Sequence, residues 1–189
     1  MKKAGLKFIM LGIVLFISNG VWGQTLAGDQ IPSTDTKQGN VLLIDSNHPS
    51  FSLSFVTPIA GEAVAPVSNS DLWIILSVGI QNFGHFHNIG YLSAAITSGA
   101  VPPGTVLTLV SAPCVTIDGA GTFGTPTAPI TLSTTDQQIV TSIGNCYTGT
   151  STGDGYQMTF TLQPDAGNYS QIVAGTYNIT VTITLAVNQ

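Results

Sequence analysis

The sequence predicts an all-β protein, an Ig-like antiparallel β-sandwich of about eight or nine strands. Three observations lead to this fold class. From residue 24 onward the chain has one Lys, one Glu and no Arg, so helices with a charged outer face are not expected. Apolar residues alternate with Thr and other polar residues along several segments, and clusters of Gly and Pro separate these segments.

The clearest strand is predicted over residues 175–187, where Tyr177, Ile179 and Val181 alternate with polar residues. Residues 155–163 repeat this pattern, and we expect the two segments to be antiparallel neighbours joined by the turn region 164–175. Residues 72–78 are more uniformly apolar, which predicts a central strand covered on both faces with Trp73 in the core. Further strands are predicted at 41–44, 51–55, 89–97, 105–111, 114–117, 129–132 and 138–141.

The first residues have the pattern of a signal peptide. Met1-Lys2-Lys3 precedes an apolar run over 8–17, which is too short to span a bilayer, and small residues at Val21 and Gly23 predict cleavage before Gln24. We therefore expect three parts: a signal peptide over 1–23, a polar N-terminal arm over 24–40 and a β-sandwich domain over 41–189. An uncleaved N-terminal anchor is the alternative. Cleavage would give an exported bacterial protein of the periplasm, cell surface or extracellular space, with no transmembrane segment in the mature chain.

Export also predicts the state of the cysteines. Cys114 and Cys146 are the only two, and such a pair in an oxidising compartment most often forms a disulfide. Two free thiols or half of a metal site are the alternatives.

The charge excludes some partners. Removal of the leader leaves Lys37 against nine acidic residues, a net charge of 1 − 9 = −8. A chain without Arg cannot neutralise several phosphates, so we expect no nucleic-acid partner.

Two short sequence motifs that are typical of enzymes occur here without the helix that each of them requires. Residues 119–124 match G-x-G-x-x-G, but the Pro-rich stretch after them cannot supply the helix that holds a pyrophosphate. Residues 149–153 match G-x-S-x-G around Ser151, but another strand is predicted to follow where a nucleophile elbow needs a helix. We predict no cofactor and no catalytic residues.

Single residues offer a candidate metal site and a candidate glycan site. His85 and His87 have a spacing that binds metal with help from a third ligand such as His48, but exposed loop residues are the favoured interpretation and no metal is predicted. Phe123, Tyr147 and Tyr169 stand in Gly-rich or turn-like segments, where aromatic side chains form sugar-binding platforms or pack onto the end of the sandwich.

Residues 175–185, which read Gly-Thr-Tyr-Asn-Ile-Thr-Val-Thr-Ile-Thr-Leu, resemble the C-terminal strand of chaperone-usher pilus and spore-coat-U-like secreted subunits. The resemblance covers this segment alone. It implies an incomplete Ig-like sandwich that a neighbour's N-terminal extension completes. The chain departs from the family in its mid-chain cysteine pair and in the absence of an alternating donor run over 24–40.

These observations predict an exported structural or adhesive subunit without catalytic activity, similar to a fimbrial subunit. Its partners would be other copies or envelope proteins, bound through a sheet edge. The alternative function is a glycan-binding module that uses Phe123, Tyr147 and Tyr169.

Overall fold

The computed structural model describes residues 9–18, 28–29, 41–46, 51–80 and 89–188. These residues form strands joined by turns and loops, with one short 3-10 turn at Tyr169–Gln171. The strands in chain order are β1 (Ile9–Ser18), β2 (Gly28–Asp29), β3 (Val41–Ser46), β4 (Val67–Gly79), β5 (Ile89–Ser98), β6 (Thr105–Ser111), β7 (Ala120–Gly121), β8 (Thr125–Pro126), β9 (Ile130–Thr131), β10 (Gln137–Ile143), β11 (Cys146–Tyr147), β12 (Tyr156–Pro164) and β13 (Thr176–Asn188).

The strands form two antiparallel sheets, which confirms the predicted all-β sandwich. Sheet A has the order β2-β1-β13-β5-β10-β8. Sheet B has the order β7-β11-β4-β12-β6-β9, and β3 also pairs with β4. No helix in the described part of the chain is long and apolar enough to cross a membrane.

The core lies between the sheets and follows the alternation of the sequence. In β13, Ile179, Val181, Ile183 and Leu185 are fully buried, and in β12 Tyr156, Met158, Phe160 and Leu162 are fully buried. Burial of each such side chain contributes roughly 1.5 to 3 kcal/mol before the loss of chain entropy. The Phe51 and Phe160 rings lie 4.9 Å apart in the middle of this core.

One pairing prediction is wrong. β12 and β13 are not neighbours, because β12 pairs with β4 and β6 in sheet B whereas β13 pairs with β1 and β5 in sheet A. The connection between them therefore crosses from one sheet to the other. Both strands alternate because each has one face on the shared core.

The prediction for Trp73 is also wrong. In β4 the residues Leu72, Ile74, Leu76 and Val78 are buried, while Trp73 and Ile75 between them are only partly buried. The strand is central in its sheet but is covered on one face, and Trp73 lies on the outer face.

Candidate functional site

Tyr147 lies on the outer face of sheet B. It pairs with Ser77 of β4 and Ala120 of β7, while the preceding Cys146 pairs with Val78. Residues paired across antiparallel strands share a face of the sheet. Since Cys146 and Val78 are buried in the core, Tyr147 points outward, and its side chain is 51% exposed.

Phe123 lies on the inner side of the same end of the sandwich. Its side chain is partly buried and packs against the core. Its carbonyl oxygen accepts a hydrogen bond from the hydroxyl of Tyr156, which is fully buried on the core face of β12. Phe123 is therefore a packing residue, which was the structural alternative for a loop aromatic.

Tyr169 lies at the opposite end of the molecule. Its hydroxyl accepts a hydrogen bond of 2.9 Å from the backbone N–H of Val64, just before β4 begins. Ser77, the partner of Tyr147, is ten residues after Val67 in the same strand, a distance of about 33 Å. The three predicted aromatics thus occupy three separate places, and the structure does not bring them together.

The two cysteines are separate thiols, so the predicted Cys114–Cys146 disulfide is not formed in the structure. Burial, with a contribution from the nearby Asp154 carboxylate, raises the pKa of Cys114 to about 11. Burial, with a contribution from Cys114, raises the pKa of Cys146 to about 11. Both thiols are protonated at neutral pH, and neither has the lowered pKa of a nucleophilic cysteine.

Asp154 organises the loop between β11 and β12. Its carboxylate is fully buried and accepts hydrogen bonds of 2.8 Å from the N–H groups of Ile117 and Ser151. Burial opposes ionisation, but these hydrogen bonds and the Asp118 side chain outweigh it and lower the pKa of Asp154 below its ordinary value. The G-x-S-x-G stretch is therefore a turn held by Asp154, and β12 follows it where a nucleophile elbow would need a helix.

The other motifs add no reactive group. The glycine-rich stretch 119–124 contains β7 and is followed by β8 rather than by a helix. No group of three or more His, Cys, Asp or Glu that would hold a metal occurs among the described residues. His48, His85 and His87 lie outside those residues.

The sequence reasoning missed an apolar surface on the outer face of sheet B. Trp73 and Ile75 of β4 lie on this face together with Tyr147, and Val115, which bridges to Gly155 beside them, is 52% exposed. Ile117, two residues further, is 75% exposed. The signal was present in the sequence, because a strand with one buried face must turn every second residue of the apolar run 72–78 outward.

The edge of β13 is the second notable feature. All ten residues of β1 pair with β13 in continuous antiparallel register, from Ile9 with Leu185 to Ser18 with Thr176. β1 lies within residues 1–23, the segment that the sequence predicts to be removed. In a chain that begins at Gln24, this edge of β13 has no partner from β1.

Comparison with protein-family models, with curated proteins and with solved structures gives no significant match. The class that the fold defines is an all-β sandwich with two antiparallel sheets.

Proposed function

We propose that the protein is an exported structural or adhesive subunit of a bacterial envelope, without catalytic activity, which assembles with further copies through the edge of β13. The observation that carries this proposal is the pairing of β13 with β1 over ten residues. Loss of β1 with the leader would leave a row of unpaired backbone N–H and C=O groups. The side chains of β13 would also have no neighbouring strand on that side.

A strand from a second copy would restore both contributions. Its backbone would repeat the ladder that β1 makes, and its apolar residues would cover Ile179, Val181 and Ile183. The resemblance of 175–185 to the terminal strand of pilus subunits supports the same interpretation.

The test uses the precursor expressed in a secreting bacterial host and recovered from the exported fraction. We expect N-terminal sequencing to begin at Gln24 and light scattering to give a mass above that of one chain. A synthetic peptide of residues 9–18 with solubilising lysines should cap β13 and reduce the mass to one chain.

The matched control is the same peptide with Ile13→Asp, because Ile13 pairs with Val181 in the middle of the ladder. This peptide should leave the assembly intact. A processed chain that is monomeric without any peptide would contradict the proposal, and so would equal effects of the two peptides.

Export also implies that Cys114 and Cys146 oxidise to a disulfide, with their two protons and two electrons passing to an oxidant of the exporting compartment. The bond would close 146 − 114 − 1 = 31 intervening residues, which stabilises a fold by roughly 3 to 4 kcal/mol in the chain-entropy model. Titration of free thiols in the exported chain tests this: no reactive thiol in denaturant supports the bond, and two reactive thiols contradict it.

Glycan binding is the second candidate function, and one observation favours it: the half-exposed Tyr147 ring stands on a sheet face rather than in the core. Binding on a glycan array that Tyr147→Ala abolishes, with unchanged thermal stability, would support it. An exported chain that binds no glycan on the array would contradict it.

A further inference from the structure

The outer face of sheet B carries a group of apolar side chains, which we call the outer-face platform. Cross-strand pairing places its members on one side of the sheet, since Trp73 pairs with Gln157 and Tyr147 pairs with Ser77. The platform consists of Trp73, Ile75, Val115 and Tyr147.

The floor of the platform has no side chain at Gly155. Gly155 has a φ of +97°, and a Cβ there would overlap the carbonyl oxygen of Ile74 and crowd Ile75. The Val115–Gly155 bridge sets Val115 directly beside this glycine. A ligand on this face would thus meet backbone at Gly155 and the side chains of Ile75 and Val115 next to it.

The two aromatic rings are spaced for an extended ligand. Trp73 and Ser77 are four residues apart in β4, which is about 13 Å, and Tyr147 lies one strand, about 4.8 Å, to the side of Ser77. The positions of Trp73 and Tyr147 are therefore separated by about 14 Å along one face. This span matches a short oligosaccharide rather than a single sugar.

The charges around the platform select for a neutral ligand. Asp118 follows the exposed Ile117 and is itself exposed, and Asp45 of β3 pairs with Ile75. The described residues contain no Lys or Arg. Anionic ligands would be repelled, whereas the hydroxyl groups of a neutral sugar would donate hydrogen bonds to carboxylates at the rim.

The apolar part of the platform is small. It has four side chains, and a stable protein interface of roughly 20 to 30 residues a side would extend well beyond it. Hydroxyl pairs border it further along β4 and β12, Ser70 with Thr159 at 2.8 Å and Ser68 with Thr161 at 2.7 Å. The apolar surface thus ends within about the length of an oligosaccharide.

We propose that the outer-face platform binds a neutral oligosaccharide, with Trp73 and Tyr147 stacked on the apolar faces of its sugar rings. This inference rests on the glycan-binding candidate and gives it a site and a ligand class. It is independent of assembly, because the edge of β13 belongs to the other sheet.

The test uses the fluorescence of Trp73. The chain has two Trp residues, and Trp22 lies in the predicted leader, so Trp73 is the only Trp of a processed chain. Neutral oligosaccharides from plant and microbial cell walls should change the wavelength and the intensity of the Trp73 emission. Sialylated and sulfated oligosaccharides of the same length should leave it unchanged.

Variants test whether glycan binding takes place at the platform. By affinity electrophoresis in the neutral polysaccharide that binds best, Trp73→Ala and Tyr147→Ala should each weaken binding by about tenfold. Ser77→Glu keeps both rings and adds a carboxylate beside Tyr147, so it should weaken binding while leaving Trp73 as the reporter. The matched control is Tyr169→Ala, an exposed tyrosine at the other end of the molecule, which should bind like the parent chain.

Three other outcomes would contradict, in turn, the site, the ligand class and glycan binding itself. Binding that survives Trp73→Ala and Ser77→Glu but is lost in Tyr169→Ala would overturn the platform and leave glycan binding standing. Binding of anionic glycans alone would overturn the ligand class. The absence of any glycan binding by the folded, processed chain would overturn both the platform and the glycan-binding candidate.

Discussion

The two sheets expose different parts of the chain to potential partners. Sheet A has β13 at the point where the predicted leader pairs with the rest of the protein, so that removal of the leader would make backbone N–H and C=O groups of β13 available. Sheet B has paired strands on both sides of β4, but its outer face carries Trp73, Ile75 and Tyr147. An unpaired edge favours another strand, whereas an apolar face with rings favours a flat ligand.

This difference separates the two proposed functions. Changes at the edge of β13 should alter assembly and not ligand binding, and changes on the outer-face platform should do the reverse. A single sheet with both features would not allow this separation.

The largest effects are expected in the core, where two matched isoleucines compare the sheets. Ile74 of β4 and Ile183 of β13 are both fully buried. Ile74→Ala should cost about 4 kcal/mol of unfolding free energy, because β4 is central whether or not the leader is present. Ile183→Ala should cost about 2 kcal/mol in the processed monomer, where β13 is an edge strand, and more in the precursor.

Urea denaturation of the processed and unprocessed chains measures this difference. Capping of the processed chain with the peptide of residues 9–18 should raise the cost of Ile183→Ala. Equal costs for the two substitutions in the processed monomer would show that the edge of β13 is covered by something other than β1.

The next largest effect is expected at the floor of the platform, where two glycines with nearly the same backbone differ in their surroundings. Gly155 has a φ of +97° and lies against Ile74, whereas Gly153 has a φ of +90° with nothing near its missing Cβ. Gly153→Ala should cost about 1 kcal/mol from backbone strain alone. Gly155→Ala should cost about 3 kcal/mol or more, since strand β12 must also move away from β4.

Thermal unfolding of the two variants gives the comparison. Similar losses for both would mean that the close approach of Gly155 to β4 does not contribute to the stability of sheet B.

A smaller effect is expected from acid, and it should be confined to sheet B. The pKa of Asp154 is lowered from an ordinary value of 3.8, so its contribution to stability is present above about pH 4 and is lost as the pH falls through the folded value. Hydrogen exchange should therefore increase first in residues 115–119 and 149–155 as the pH is lowered, before sheet A responds. Asp154→Asn should be less stable at neutral pH and should respond less to acid.

Asp71→Asn is the control, because Asp71 is exposed and its carboxylate accepts a hydrogen bond only from a side chain two residues away, that of Asn69. It should keep the acid response of the parent chain. Simultaneous opening of both sheets in acid would contradict a local role for Asp154.

The sequence predicted the core-facing residues of each strand more accurately than it predicted which strands are neighbours. Alternation is a property of one strand, so the buried faces of β12 and β13 followed from their own residues. Pairing depends on the whole topology, and the antiparallel neighbours expected for β12 and β13 are in different sheets. Residues 51–55 show the same limit: Phe51, Leu53 and Phe55 are buried as the alternation predicts, but no strand is formed there.

The candidate site was less predictable for a related reason. Turn residues around Phe123, Tyr147 and Tyr169 indicate loops, but only the fold decides that one ring packs inward, one points outward and one lies at the far end. The sequence predicts Trp73 in the core because Ile74, Ile75 and Leu76 interrupt the visible alternation. An apolar residue on the outer face of a strand cannot be distinguished from a buried one by hydropathy alone.

The smallest effects are expected from cross-strand hydroxyl pairs, and each sheet offers one. In sheet A, Thr97 and Thr182 are 2.9 Å apart and Thr182 is almost fully buried, while in sheet B Ser68 and Thr161 are 2.7 Å apart and exposed. Thr182→Val should cost about 0.5 to 1 kcal/mol, because water replaces a buried hydroxyl partner poorly. Thr161→Val should cost at most about 0.5 kcal/mol, since water reaches Ser68 and valine suits a strand. Urea denaturation of both single variants measures the difference in unfolding free energy. A larger cost for Thr161→Val would mean that the outer face of sheet B is covered in solution. The platform would then be an interface between proteins.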